Sequence, residues 1–168
     1  MTRILGVDPG MSGALAVFQP NAASGKRWDV IDVPTSGEDS QRRVNVIAIA
    51  DWLKEYKPDF AYVESVAAFP GQGVSSMFRF GRATGAIEAV VACQYIPISL
   101  VAPPTWKKFH GLRGSDKEQS RALAIRKFPE LASRLDRHMD QNRAEAALIA
   151  FFGAAATGAV RSMSPLGV

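Results

Sequence analysis

Hydrophobic and polar positions along the chain fall into blocks whose period changes from two to about 3.6. "RILGVD", "GALAVFQ" and "RWDVIDVP" are short runs rich in Ile, Leu and Val, the composition of strands. Pro9-Gly10-Met11-Ser12-Gly13 separates the first two runs, and Pro20-Asn21 through Gly25 separates the next pair. Both are turn signals, so the three runs predict an antiparallel meander. A polar loop is expected from Thr35 to Arg43. In "VNVIAIADWLKEYKPD", Val46, Ile49, Ala50 and Leu53 have the spacing of a helix that stops before Pro58.

"FAYVES", Phe60 to Ser65, predicts a fourth strand, followed by a loop containing "FPGQG". "VSSMFRFGRATGAIEAVVACQ" then predicts a helix with Gly81 and Gly85 four residues apart on one face. Each glycine costs about 1 kcal/mol inside a helix relative to alanine, so the pair predicts close approach of another helix or strand. "IPISLVAP" predicts a fifth strand, broken by Pro103-Pro104; a short helix, a glycine loop and a helix beginning near Ser115 follow. "NRAEAALIAFFGAAATGAV" is apolar nearly all round and predicts a buried helix.

This order gives an α/β fold. A strand–helix–strand crossover favours right-handed parallel pairing, so the first and fourth strands are expected as neighbours. We expect one domain over residues 3–160 and a flexible tail over 161–168, with no internal repeat or linker.

Composition narrows the class. The chain has 168 residues, 47% hydrophobic and 21% charged, as expected of one globular domain. No apolar run approaches the roughly 20 residues that span a bilayer, and the N-terminus lacks a signal-peptide layout. The single cysteine, Cys93, leaves no role for disulfides within one chain and fits a reducing, cytoplasmic compartment. Net charge is +4 and the sequence pI about 9.5, a mild bias by itself. Arg42, Arg43, Arg79, Arg82, Lys107, Lys108, Arg113, Lys117, Arg121, Arg126 and Lys127 recur in predicted loops and helix starts. Such a spread could follow a phosphate backbone, although a plain solvated basic surface fits it as well.

Candidate chemistry begins with carboxylates. Asp8 ends the first strand and Glu64 the fourth; in adjacent parallel strands both emerge where α/β sheets place their sites. Two neighbouring carboxylates repel, which either a shared proton or a divalent cation relieves. Hard cations such as Mg²⁺ take oxygen ligands, and two of them can activate water for phosphodiester hydrolysis. "HMDQNRAEAAL" offers His138, Asp140, Asn142 and Glu145 as further ligands. Asn142 and Glu145 share a helical face; Asp140 joins them only from a loop ahead of the helix. Each has a plainer reading: Asp8 as a turn former, Glu64 as a strand-end charge, His138 as a loop residue, and Asn142 with Glu145 as a capping box.

"ILGVDPGMSGALAVF", "AYVES", "GQGVSSMFRFGRATGAIEAVV", "ISLVAPPTWKK" and "NRAEAALIA" together resemble the RuvC-type Holliday junction resolvases, especially the bacteriophage and RuvC-like members, from about residue 3 to 155. The D-P-G-x-x-G start alone also opens actin-like ATPases and sugar kinases; the five blocks in order are what carry the resemblance. It implies an RNase H-like fold, a five-stranded mixed sheet flanked by helices. It also implies a homodimer that nicks four-way DNA junctions in pairs, using Mg²⁺ or Mn²⁺.

Carried over, Asp8, Glu64 and Glu145 are ligands. The fourth is Asp140 by likeness to phage relatives, with Asn142 as second choice by likeness to bacterial ones. Lys117 resembles the basic residue near the scissile phosphate, and Lys107 and Lys108 another basic site on the DNA face. Phe69 sits where the family places an aromatic wedge, which unstacks bases at a few kcal/mol per step, or else it is a loop anchor. Gln72, Ser75, Ser76, Arg79 and Arg113 complete the expected DNA contacts, and the Gly81/Gly85 helix is the expected dimer face. The competing functions are a non-catalytic junction-binding protein of the same fold and an RNase H-like RNA-processing nuclease of the YqgF type. An actin-like ATPase would need a second lobe.

Overall fold

The computed structural model describes residues 2–67, 71–112, 114 and 116–160. The Leu- and Val-rich runs form β1 (Ile4–Asp8), β2 (Ala14–Phe18) and β3 (Trp28–Asp32), paired antiparallel in sequence. The tight β1–β2 connection depends on Gly13, where a Cβ atom would lie 2.0 Å from the Asp8 carbonyl oxygen. β6 (Phe60–Glu64) pairs parallel to β1, and β7 (Ile98–Val101) parallel to β6, giving the order β3-β2-β1-β6-β7. The expected five-stranded mixed sheet is therefore present, with the first and fourth long strands side by side.

The Thr35–Arg43 segment is not a plain loop. Thr35–Ser36 (β4) pairs antiparallel with Arg43–Val44 (β5) around a 3₁₀ turn at Asp39–Gln41. The polar composition hid this ladder because two-residue strands are too short to show a period.

α1 (Val46–Tyr56) starts on Asn45, whose Oδ1 accepts from the Ala48 N–H, and ends two residues before Pro58. α2 (Val74–Cys93) follows β6. Pro103 and Pro104 do more than end a strand: they open α3 (Pro103–Phe109), since a first helical turn needs no N–H from them. α4 (Lys117–Lys127) is capped by Asp116, which accepts from the Glu118 N–H, so it starts just beyond the expected Ser115. α5 (Gln141–Ala156) is buried over Ala144–Phe151, as its apolar sequence predicts.

Strand alternation sorts side chains onto two faces. Leu5, Val7, Leu15 and Val17 meet Ile49, Leu53, Ala83 and Ile87 of α1 and α2. Ile4, Ala14, Ala16 and Phe18 meet Leu148, Ile149 and Phe151 of α5, together with Trp106 of α3. Asp8 falls on the α5 face. Gly81 and Gly85, expected at a close approach, are exposed, with nothing in the described chain within 4 Å of a Cβ placed on either. Phe69, Arg113 and the 161–168 tail lie outside the described residues. Among the described residues no helix is long and apolar enough to cross a membrane.

One buried polar group makes the core sensitive to pH. His110 is buried under α5, where its Nε2–H donates to the Leu148 carbonyl at 2.8 Å and its Nδ1 accepts from the Lys127 ammonium at 3.1 Å. Burial, and then the Lys127 charge, push its pKa down from 6.5 to about 4. The unfolded chain takes up a proton that the folded chain refuses. His110 therefore makes stability rise with pH from about 4 to 6.5, by about 3 kcal/mol. An NMR titration of the imidazole is expected to find it still neutral at pH 6.

Candidate active site

In β1, Gly6 pairs with Tyr62 of β6. Two residues further along each strand, Asp8 and Glu64 leave the sheet on the same, α5-facing side. Asp8 is 6% exposed, at the wall of a cavity of about 460 Å³. Glu64, Ser76, Arg79, Phe80, Lys117 and Asn142 share that wall with the Pro9–Gly13 turn. Glu145 enters from the first turns of α5 and is 3% exposed.

Lys117, at the start of α4, gathers these groups. Its Nζ stands 3.2 Å from Glu145 Oε2 and 3.9 Å from Asp8 Oδ2, and donates to Asn142 Oδ1 at 2.7 Å. Burial, reinforced by the charges of Glu145 and Glu64 and opposed by Lys117, pushes the Asp8 carboxyl up to about 8. Burial also raises the Glu64 pKa, against the hydrogen bond that Trp106 Nε1 donates to Oε1 at 2.9 Å. For Lys117, burial works against the ammonium, but Asp8 and Glu145 outweigh it and its pKa is raised. Glu145 Oε1 also accepts from Ser120 Oγ at 3.3 Å and lies 3.6 Å from Lys107 Nζ.

The two candidates for the fourth position differ sharply. Asp140 ends a 3₁₀ turn, His138–Asp140, just before α5. Its carboxylate accepts from Arg137 Nη2 at 2.6 Å and from the Arg137 backbone N–H at 3.0 Å, and lies 3.6 Å from Arg143. Burial raises its pKa, but these bonds outweigh burial and the carboxyl is held below its usual range. It does not line the cavity. Asn142 does, as the second residue of α5 rather than its cap. Its Nδ2 donates to the Ser12 carbonyl and its Oδ1 faces Lys117. α5 has no side-chain cap: Asp140, its N-cap, instead accepts from the Arg137 N–H of the preceding 3₁₀ turn, so Asn142 and Glu145 do not form the expected capping box.

Of the other expected residues, Ser76 and Arg79 line the cavity, and Lys107 is half-buried against Glu145 and the Trp106 ring. Gln72, Ser75 and Lys108 are exposed, and His138 lies outside the cavity, near Glu118. Trp106 and Ser120 went unnoticed as partners of Glu64 and Glu145. The Pro103-Pro104 helix start was the available signal for Trp106, because it sets that indole one turn beyond the strand next to Glu64.

The donor set suits a hard divalent cation: buried carboxylate oxygens, one of them with its ionisation strongly opposed, and an amide oxygen. Among the described residues no three carboxylates or imidazoles are close enough together to chelate an ion as they stand. Instead the Lys117 ammonium lies between Asp8 and Glu145, so the set fits a metal once that ammonium gives way.

Comparison with known proteins agrees with this geometry. The family model described as "Crossover junction endodeoxyribonuclease RuvC" matches residues 4–150. The protein of that name from Pseudarthrobacter chlorophenolicus is 30% identical over 134 residues, covering 77% of this chain and 69% of its own. The one from Corynebacterium glutamicum is 28% identical, over 74% of this chain but only 58% of its own length. Among solved structures, T. thermophilus RuvC in complex with a Holliday junction substrate superposes with a TM-score of 0.66, at 17% identity, over 92% of this chain and 93% of that one. The fowlpox virus Holliday junction resolvase superposes at 0.54 and 16% identity, over 93% and 99%. At those identities the two structures speak for the fold. The family match spans both strand-end carboxylates and the start of α5, and by it this chain belongs to the RuvC family of crossover junction endodeoxyribonucleases.

Proposed function

We propose that the protein is a divalent-metal-dependent endonuclease that resolves Holliday junctions and cuts related branched DNA. The observation that carries this reading is that Asp8 and Glu64 meet at one cavity, with Glu145 held beside Asp8 by the shared Lys117 ammonium, in a chain of the RuvC family. Asp8, Glu64, Glu145 and the Asn142 amide oxygen are the ligand set. Asn142 is preferred to Asp140 because Arg137 and Arg143 already neutralise the latter. These residues would hold two divalent ions, Mg²⁺ or Mn²⁺, which would supply the Lewis acidity for activating water and stabilising the leaving oxygen.

The chain's own groups do the rest. Trp106 fixes the orientation of Glu64, and Ser120 with Lys107 fixes Glu145. Lys117, released from the carboxylates, answers the charge that develops on the phosphate. Ser76 and Arg79 meet the backbone at the cavity, with Gln72, Ser75, Lys107, Lys108, Phe69 and Arg113 as further DNA contacts.

One nuclease domain over residues 3–160 acts as a homodimer, since paired nicks require two symmetric sites. The dimer face is α2, whose outer side exposes Phe78 (65%) and Val74 (85%) beside Gly81 and Gly85. The lone cysteine, Cys93, is exposed and free, which suits the reducing cytoplasm of a bacterial or phage-infected cell.

Purified protein with Mg²⁺ is expected to cut a synthetic four-way junction in symmetric pairs and to leave linear duplex intact. Binding without metal-dependent cutting would make it a junction-binding protein, and preference for a matched RNA would make it an RNA-processing nuclease.

A further inference from the structure

A second cavity, of about 500 Å³, lies between the β4–β5 ladder and α2. Four arginines line it, Arg42, Arg43, Arg79 and Arg82, together with apolar residues that include Met11 and Val44. Its lining contains no carboxylate. Five arginines elsewhere are held by acids, Arg27 by Glu130, Arg121 by Glu118, Arg134 by Asp29, Arg137 by Asp140 and Arg143 by Asp32, while the Arg3 guanidinium is held by Gln19 and the Tyr56 carbonyl. None of the four in this cavity has an acidic partner among the described residues. Arg42 Nε donates to Thr35 Oγ1 at 3.1 Å, and the Arg82 guanidinium lies 5.7 Å from the centre of the Phe78 ring. Four like charges facing one recess repel each other unless an anion sits among them.

Position says which anion. Met11 and Arg79 line this cavity and also the carboxylate cavity, so the two form one groove, acidic at one end and basic at the other. The acidic end repels DNA phosphates, so a strand that reaches it needs cations close by on its path. A guanidinium matches a phosphate with two parallel N–H donors, a geometry that a lysine ammonium lacks.

We propose that the Arg42–Arg43–Arg79–Arg82 recess seats the backbone phosphates of the DNA strand on one side of the cleavage point, and so draws the scissile phosphate towards Asp8. This rests on the nuclease reading above, but it assigns a task to the β4–β5 ladder that cleavage chemistry does not require.

The test uses full-length protein and a four-way junction without divalent metal, with binding measured between about 50 and 200 mM salt. R43Q/R82Q spares Arg79, which belongs to both cavities. We expect its affinity to fall roughly tenfold and its slope of log K against log salt to shrink by about 2, since each lost phosphate contact removes about 0.9. R43K/R82K is expected to keep most of the slope, because lysine also displaces counterions. Circular dichroism and thermal melting check that both variants are folded.

A wild-type slope in R43Q/R82Q overturns the proposal. So does an R43K/R82K variant whose salt slope falls as far as that of the glutamine one, which would indicate a structural role. Wild-type cleavage, assayed separately with Mg²⁺, tells the two readings apart. A protein that cuts junctions while R43Q/R82Q keeps the full slope sinks only the recess, whereas a wild type that does not bind junctions sinks both.

Discussion

Asp8→Asn is expected to abolish metal-dependent junction cleavage while making the metal-free protein more stable. The two effects share one cause. Asp8 is buried beside two further carboxylates, and burial raises its pKa from 3.8 to about 8. At neutral pH the unfolded chain holds this carboxyl ionised at no cost, while the folded chain must protonate it or bear the charge. The contribution of Asp8 is therefore complete below pH 4 and is lost as pH rises towards 8, where the deficit is about 5 kcal/mol. Asparagine keeps the shape and removes the charge. Chemical denaturation in EDTA should show a wild-type-to-variant gap that opens steadily between pH 4 and 8.

Because His110 acts in the opposite direction between pH 4 and 6.5, the wild type should be nearly flat there, and D8N should expose the histidine's rise. A divalent ion supplies the missing positive charge, so Mg²⁺ should stabilise the wild type and leave D8N almost unmoved. Without a ligand carboxylate the reaction loses several kcal/mol of charge stabilisation, a drop of about 10³-fold or more. Cleavage by D8N within tenfold of wild type would remove Asp8 from the mechanism.

The second large effect is expected far from any charge. Gly6→Ala in the middle of β1 should cost about 3 kcal/mol or more and should weaken cleavage even in molecules that stay folded. A Cβ atom there would lie 2.2 Å from the Ala146 carbonyl oxygen and 2.4 Å from the Ala150 nitrogen. Both are backbone atoms of α5, which no rotamer change can move. α5 must lift off the sheet, and it carries Asn142 and Glu145 on its first turns. A lower thermal midpoint together with a weaker Mg²⁺-induced stabilisation would be the signature. A variant with a wild-type melting curve would show that α5 does not depend on this contact.

These two residues also mark the limits of reading the chain without its fold. Local pattern was enough for the long strands, the ends of α1, the start of α5, and Asp8 and Glu64 at strand tips. A period of two and a Pro-Gly turn are local facts, and right-handed crossover leaves few ways to pair the strands. Glycine was harder to interpret. Gly81 and Gly85, four apart in a helix, drew the inference of close packing, yet they are exposed and no part of the described chain approaches them. Gly6 drew none, since a small residue inside an apolar strand gives no sign that the backbone of Ala146 and Ala150, far along the chain, crosses it in the fold.

The start of α5 shows the same limit in the chemistry. By itself the sequence determined that an Asp, an Asn and a Glu cluster near 140–145 beside two arginines, Arg137 and Arg143, and that the helix they open is buried. Only the tertiary structure decided which of them faces the cavity. Arg137 and Arg143 hold the Asp140 carboxylate outside it, while Lys117, from another helix, reaches Asn142 on its wall and the buried Glu145 behind. The reason is physical: a short polar side chain turns towards whichever charge lies within about 4 Å, and charges brought that close by folding leave no mark in the spacing of residues along the chain.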